Sequence, residues 1–137
     1  MTGVSDLTQM LAQMRPMLRP GTYVFLSLSE PAPEALHPVM TFAEDEGLTV
    51  IVPQQEADAA GFAYDLVTTW ITLTVHSSLA GVGLTAAVSR ALADGNISCN
   101  MVAATYHDHL FVPAEDGSKA LAILTELSMA HGAINDV

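Results

Sequence analysis

Thr69-Trp70-Ile71-Thr72-Leu73-Thr74-Val75-His76-Ser77-Ser78-Leu79-Ala80-Gly81-Val82-Gly83-Leu84 is the stretch whose reading decides the fold. Its first seven residues alternate. Ile71, Leu73 and Val75 share one face and Trp70, Thr72 and Thr74 the other, the period of a strand with one buried side. The period then changes. From about Gly81 to Ala93, Leu84, Ala87, Val88, Ala91 and Leu92 recur at helical spacing. A strand that passes through a short Ser- and Gly-containing turn into a helix presents backbone N–H groups that no helical carbonyl satisfies. Such a turn can hold a carboxylate or another small anion.

Reading forward, Asp94-Gly95-Asn96 stops the helix, with Gly95 suited to the left-handed position after it. Ile97 to Ala104 is predicted as a strand, Tyr106-His107-Asp108 as a turn, and His109 to Val112 as a returning strand ended by Pro113. Glu115 and Asp116 open a final helix, where negative charge meets the positive helix end. Ala120, Ile123, Leu124 and Leu127 form its buried face. With Gly132 and the tail taken as a last short strand, the order is βαββαβ, a ferredoxin-like unit.

Reading backward, Leu7, Met10, Leu11 and Met14 mark one face of a helix from Asp6 to about Met14, capped by Ser5. Pro16 and Pro20-Gly21 break it. Thr22 to Leu28 alternates as a strand, with Val24, Leu26 and Leu28 on one face. Ser29 to Pro38 carries three prolines and reads as loop. Val39–Ala43 and Leu48–Val52 pair through Glu44-Asp45-Glu46-Gly47, a hairpin with Gly at its tight position. Gln54 to Ala60 is a short helix ending at Gly61. The expected fold class is α+β, two packed ferredoxin-like units with antiparallel sheets, one over residues 1–64 and one over 65–137.

Composition narrows the function. The 137 residues carry a formal net charge of −11 and only four basic side chains, Arg15, Arg19, Arg90 and Lys119. Four dispersed cations make no stripe for phosphates or anionic lipid, so neither nucleic acid nor membrane is an expected partner. Half the residues are hydrophobic, enough for a core and for apolar surface hidden in an oligomer. A single cysteine, Cys99, allows no internal disulfide and fits a reducing cytoplasm. No run approaches the roughly 18 apolar residues of a membrane span, and the first residues carry no signal-type apolar segment.

The run from Trp70 to Val75 followed by Ser78 to Leu84, the stop Ala93-Asp94-Gly95-Asn96-Ile97-Ser98, and the hairpin from Ala104 to Val112 resemble an ACT domain of the aspartate-kinase-like variety. The Glu44-Asp45-Glu46-Gly47-Leu48-Thr49 hairpin is similar to one in small bacterial proteins of two ACT-like units without a catalytic domain. The resemblance covers roughly residues 4–130 and is strongest over 70–112. It implies a regulatory or sensor protein, a homodimer or larger, that binds an amino acid or similar metabolite at the loop after the first strand and the neighbouring hairpin. Those positions are His76, Ser77, Ser78, Leu79, Val82 and Gly83, with Thr105, Tyr106 and Asp108. The carboxylate would sit on the Ser77-Ser78 turn and the ammonium near Asp108.

Other readings weigh against this one. His76, Ser77 and Ser78 also suit a plain loop and N-cap, and Asp108 a plain turn. His107 and His109 could share a metal, with Asp108 as a third ligand and His76 nearby, in a small metal-dependent protein or enzyme. Glu44, Asp45 and Glu46 read as a solvated turn, and Cys99 as a small core residue. No nucleophile elbow and no dinucleotide fingerprint occur, and no cofactor and no catalytic residue is expected.

Overall fold

Residues 67–73 form the strand to which the other elements are referred. The computed structural model describes residues 6–76 and 78–132, so Ser77 and the expected last strand lie outside the described residues. The central strand is β5 (Val67–Leu73) in chain order. It follows β1 (Pro16–Leu18), β2 (Tyr23–Leu28), β3 (Met40–Glu44) and β4 (Gly47–Pro53), and precedes β6 (Asn100–Ala103) and β7 (Asp108–Pro113). Four α-helices, α1 (Leu7–Gln13), α2 (Gln54–Ala59), α3 (Leu84–Asp94) and α4 (Gly117–Ala130), and a 3-10 turn at Ala114–Asp116 complete the described chain.

All pairings are antiparallel, in the order β3-β4-β2-β5-β7-β6. One edge of β5 meets β7 from Thr68↔Pro113 to Leu73↔Asp108. The other edge meets two strands end to end. β1 lies opposite Leu73 to Ile71, and β2 opposite Thr68 and Val67. Between them the chain advances from Leu18 to Tyr23 while its partner moves only from Ile71 to Thr68, so Pro20-Gly21 loops out. Arg19 keeps the ladder alive across the gap, its N–H donating to Trp70 O at 2.8 Å.

Two ferredoxin-like orders follow from this one sheet. The first is β2, β3, β4, α2 and β5, with the Pro-rich segment 29–39 where a first helix would stand. The second is β5, α3, β6, β7, α4 and β1. The fourth-strand place of the second unit, expected from the C-terminal tail, is therefore taken by β1 from the N-terminus. Residues 7–18, expected in the unit of residues 1–64, pack in the other core. Met10, Leu11 and Met14 are buried among Ile71, Leu73, Val88, Leu92, Leu110 and Leu124. A second cluster joins Val24, Leu26, Leu28, Leu36, Val50, Val52 and Ala57. Val67 packs on this cluster while Ile71 and Leu73 lie in the first, so both cores and all four helices sit on one face of the sheet.

Local details differ from the expectation for identifiable reasons. Asp6, not Ser5, caps α1, its Oδ1 accepting from Gln9 N at 3.0 Å. After α3 the left-handed residue is Asn96 (φ 60°), whereas Gly95 has φ −86°. Glycine serves close packing there, since a Cβ would fall 2.6 Å from Ile123 Cδ1 of α4. Gly47 closes the β3–β4 hairpin where a Cβ would stand 2.9 Å from Leu28 O.

The opposite face carries no helix of the described residues. There Tyr23, Phe25, Trp70 and Phe111 pack edge-on and stacked at centroid distances of 5.5 to 6.2 Å. The Arg19 guanidinium lies 4.8 Å over the Trp70 ring, and its Nε donates to Thr72 Oγ1. Trp70 Nε1 donates to His109 Nδ1 at 3.1 Å, and Thr72 Oγ1 is equally close. An indole N–H can only donate, so His109 Nδ1 is bare and its proton sits on Nε2. Thr72 is fully buried in this network, so of Trp70, Thr72 and Thr74 it adds nothing to the accessible face.

Two predictions test this architecture. Met14→Ala should destabilise the protein by about 2–5 kcal/mol, the cost of a cavity in a tight core. Urea unfolding giving a surface-like loss of less than about 0.5 kcal/mol would place Met14 outside the core that holds Ile71 and Leu73. The second concerns pH. Burial first, then His107 and Arg19, hold His109 below its ordinary value of 6.5 against the opposing pull of Asp108. The unfolded chain then binds more protons just below that value, so His109 favours the fold above it and loses this contribution as pH falls. The stability advantage of wild type over His109→Gln should shrink between about pH 7.5 and about pH 5. A constant or growing advantage contradicts the assigned network.

Candidate functional site

The segment between β5 and α3 does not run straight into the helix. α3 begins at Leu84, so Ser78 is no helix cap. Its Oγ accepts from Ala80 N (3.1 Å) and its carbonyl from Gly81 N (2.9 Å), closing a local turn in the connector. The N-cap is Gly83, whose φ of +106° suits glycine and which offers no capping side chain. Leu7 of α1 packs there, its Cδ2 3.0 Å from where a Gly83 Cβ would be. The first intrahelical bond runs from Ala87 N to Gly83 O, which leaves the first-turn N–H groups of Leu84, Thr85 and Ala86 at the helix mouth.

A cavity of about 510 Å³ opens at this mouth. Ser78, Leu79, Gly81 and Val82 of the connector form one wall, and Gly83, Leu84, Thr85 and Ala86 another. Ala103 of β6, Asp108 of β7 and Met10 of α1 complete it. Asp108 is buried at the start of β7, opposite both Leu73 and Ala103. Leu73 faces the helices, and strand alternation puts the Asp108 side chain on that same side.

Five expected site residues therefore meet at one cavity: Ser78, Leu79, Val82, Gly83 and Asp108. His76, Thr105 and Tyr106 do not line it. The His76 ring packs on Tyr106 at 5.5 Å, outside the wall. Ser77 lies outside the described residues. Met10 and the helix mouth Leu84–Ala86 were not foreseen. Met10 belonged visibly to the apolar face of the first helix, but nothing local said that this face reaches across to the connector.

The four residues of the metal reading part in two directions. Asp108 faces the helices, whereas His109 is held on the helix-free face by Trp70 and Thr72. The His107 ring lies 6.5 Å from that of His109, with its Nδ1 3.3 Å from Val75 O. Among the described residues no three His, Cys, Asp or Glu side chains are grouped to hold an ion. Glu44, Asp45 and Glu46 are exposed, and Glu44 accepts from Thr49 Oγ1 across the hairpin. Cys99 is half-buried beside the larger core, and burial pushes its thiol above the ordinary range. No helix of the described residues is long and apolar enough to cross a membrane.

Comparison with known proteins agrees with the fold. Residues 2–69 match one ACT domain model and residues 65–126 another. The two matches overlap at 65–69, where β5 begins and pairs with β2. A solved protein of unknown function from Vibrio cholerae is 41% identical, over 89% of this chain and 95% of its own, with a TM-score of 0.81. An Agrobacterium tumefaciens protein shares the fold at 21% identity, over 85% of this chain and 90% of its own, with a TM-score of 0.63. So does the regulatory subunit of aspartate kinase from Thermus thermophilus, at 10% identity, 85% and 98% coverage and a TM-score of 0.59. No curated protein matches in sequence. The chain belongs to the ACT domain family, as an α+β protein of two ACT units built on one continuous sheet.

Proposed function

We propose that this protein is a cytoplasmic amino-acid-binding regulator or sensor. The observation that carries this reading is the cavity with a helix mouth that no described side chain caps on one side and a buried carboxylate on another. An α-amino acid has the matching pair of charges. Its carboxylate would accept from the first-turn N–H groups of α3, favoured by the helix dipole. Its ammonium would meet Asp108. ACT units are typically small-ligand regulatory modules, and the Thermus protein is a regulatory subunit of aspartate kinase. The cavity wall also argues for binding over catalysis. Its hydroxyls are those of Ser78 and Thr85, Ser78 Oγ is used in the local turn, and no histidine lines the wall to activate either.

Self-association belongs to the same proposal. The helix-free face joins Met17, Trp70, Tyr23 and Phe25 in one aromatic-rich surface, and Met17 is 41% exposed. Among the described residues the ladder partners of Met17, Tyr23 and Trp70 are Thr72, Pro53, Thr68 and Phe111, none of them acidic. A second copy can approach there with the least repulsion between two chains of charge −11.

Each half of the proposal has its own measurement. Asp108→Asn should keep the fold and weaken the best-bound amino acid by about 10- to 150-fold, the loss of a charge-assisted hydrogen bond of roughly 1.5–3 kcal/mol. Calorimetry giving equal affinities would leave Asp108 a structural residue at the start of β7. Sedimentation should find a dimer or larger at micromolar concentration, and Met17→Glu should shift it toward the 14.4 kDa monomer. A wild-type monomer at every concentration removes the oligomer.

A further inference from the structure

We infer that the cavity selects amino acids with an apolar side chain, and that Met10 of the N-terminal helix sets the size it accepts. The inference rests on the reading of this cavity as an amino-acid site. It comes from the composition of the wall beyond the helix mouth and the Asp108 carboxylate. Among the described residues Asp108 is the sole charged one lining it, and none of Arg15, Arg19, Arg90 and Lys119 does so. The remaining wall is Met10, Leu79, Val82, Leu84 and small residues.

An acidic ligand side chain would enter this space without a cation and share it with Asp108. A basic one would compete with its own ammonium for the same carboxylate. Either charge would leave water uncompensated, which is costly in an apolar wall. An aliphatic or thioether side chain meets no such penalty. It would also cover Leu79 and Val82, which are 71% and 81% exposed. Two such apolar residues on one short connector at a cavity rim are surface that an apolar partner group removes from water.

Met10 closes the opposite side. It is 1% exposed, and its Cε and Sδ lie 3.4 Å from where a Cβ on Gly81 would stand. The thioether therefore lies against the connector itself. An unbranched side chain with three rotatable bonds adapts to the shape of what it touches. Because α1 is anchored elsewhere, by Ser128 Oγ donating to Met14 O (2.8 Å) and Thr74 N donating to Arg15 O (2.9 Å), Met10 can vary in shape without releasing the helix.

The test is calorimetry on the full chain with leucine, isoleucine, valine, methionine, aspartate, glutamate, lysine and arginine as probes. At least one apolar amino acid should bind tenfold or more tightly than each charged one. Val82→Arg, at an exposed position that leaves the core intact, should lower the leucine-to-glutamate affinity ratio at least tenfold, and Leu79→Arg should do the same. Met10→Leu, a volume-conserving change, should reorder affinities among the four apolar amino acids while preserving the fold. Tighter binding of a charged amino acid overturns the inference and leaves the amino-acid site standing. Unchanged ranking in Met10→Leu removes Met10 from the selection. Binding of none of the eight, with none of the other standard amino acids raising the melting temperature, overturns both the inference and the reading beneath it.

Discussion

The backbone of β5 carries hydrogen bonds for two ACT units at once, and the rest of the molecule is arranged around that constraint. A strand has two edges, and here one is given wholly to β7 while the other is divided between β1 and β2. The division works because Pro20-Gly21 loops out and lets the chain re-enter the ladder two positions out of step. Arg19 bridges the gap with both its backbone and its side chain. Each unit thus borrows a strand. The first completes its sheet with the start of β5, and the second completes its sheet with β1.

That exchange is what brings the N-terminal helix to the candidate site. Once β1 lies beside β5, the seven-residue α1 has only the helix face of the second unit to cover. Met10, Leu11 and Met14 fill the same core as Ile71 and Leu73. Ser128 of α4 strengthens the join, its Oγ donating to Met14 O at 2.8 Å. The cavity wall then contains residues more than 90 positions apart in sequence, Met10 and Asp108, held by a sheet rather than by a loop. A site supported by a strand end and a helix mouth is placed more precisely than one on a hairpin tip, where Thr105 and Tyr106 stand exposed.

Much of this was legible in the sequence because it was written in local periods. The alternation of residues 22–28 and 69–75 and the helical spacing after Leu84 gave elements, faces and the α+β class. Leu79, Val82, Gly83 and Asp108 followed from the strand-connector-helix order together with the ACT resemblance. What could not be read was long-range. Pro16-Met17-Leu18 has no alternation to speak of and two prolines nearby, yet it forms β1 because Leu73 to Ile71 offer it a free edge. The start of α3 slipped from Gly81 to Leu84 because the helix can begin only after the positive-φ glycine that lets Leu7 approach. Gly95 and Asn96 exchanged their expected roles for a similar reason, since Ile123 of α4 packs against the first and leaves the left-handed turn to the second.

The two units are unequal, and the sequence already holds the cause. Segment 29–39 contains Pro31, Pro33 and Pro38, which cannot sustain a helix, so the first unit has no counterpart of the α3 mouth. Its third strand starts at Gly47, the topological equivalent of Asp108, and this glycine packs against Leu28 O instead of presenting a carboxylate. The hollow beside it, lined by Ser29, Glu30, Pro31, Pro33 and Phe62, is about 210 Å³ and its acid is exposed. Neither half of the charge pair that would receive an amino acid is therefore built there. The first unit instead supplies β2 as a rigid neighbour for β5. The second unit keeps the cavity, whose floor and helix wall are fixed by the strand the two units share.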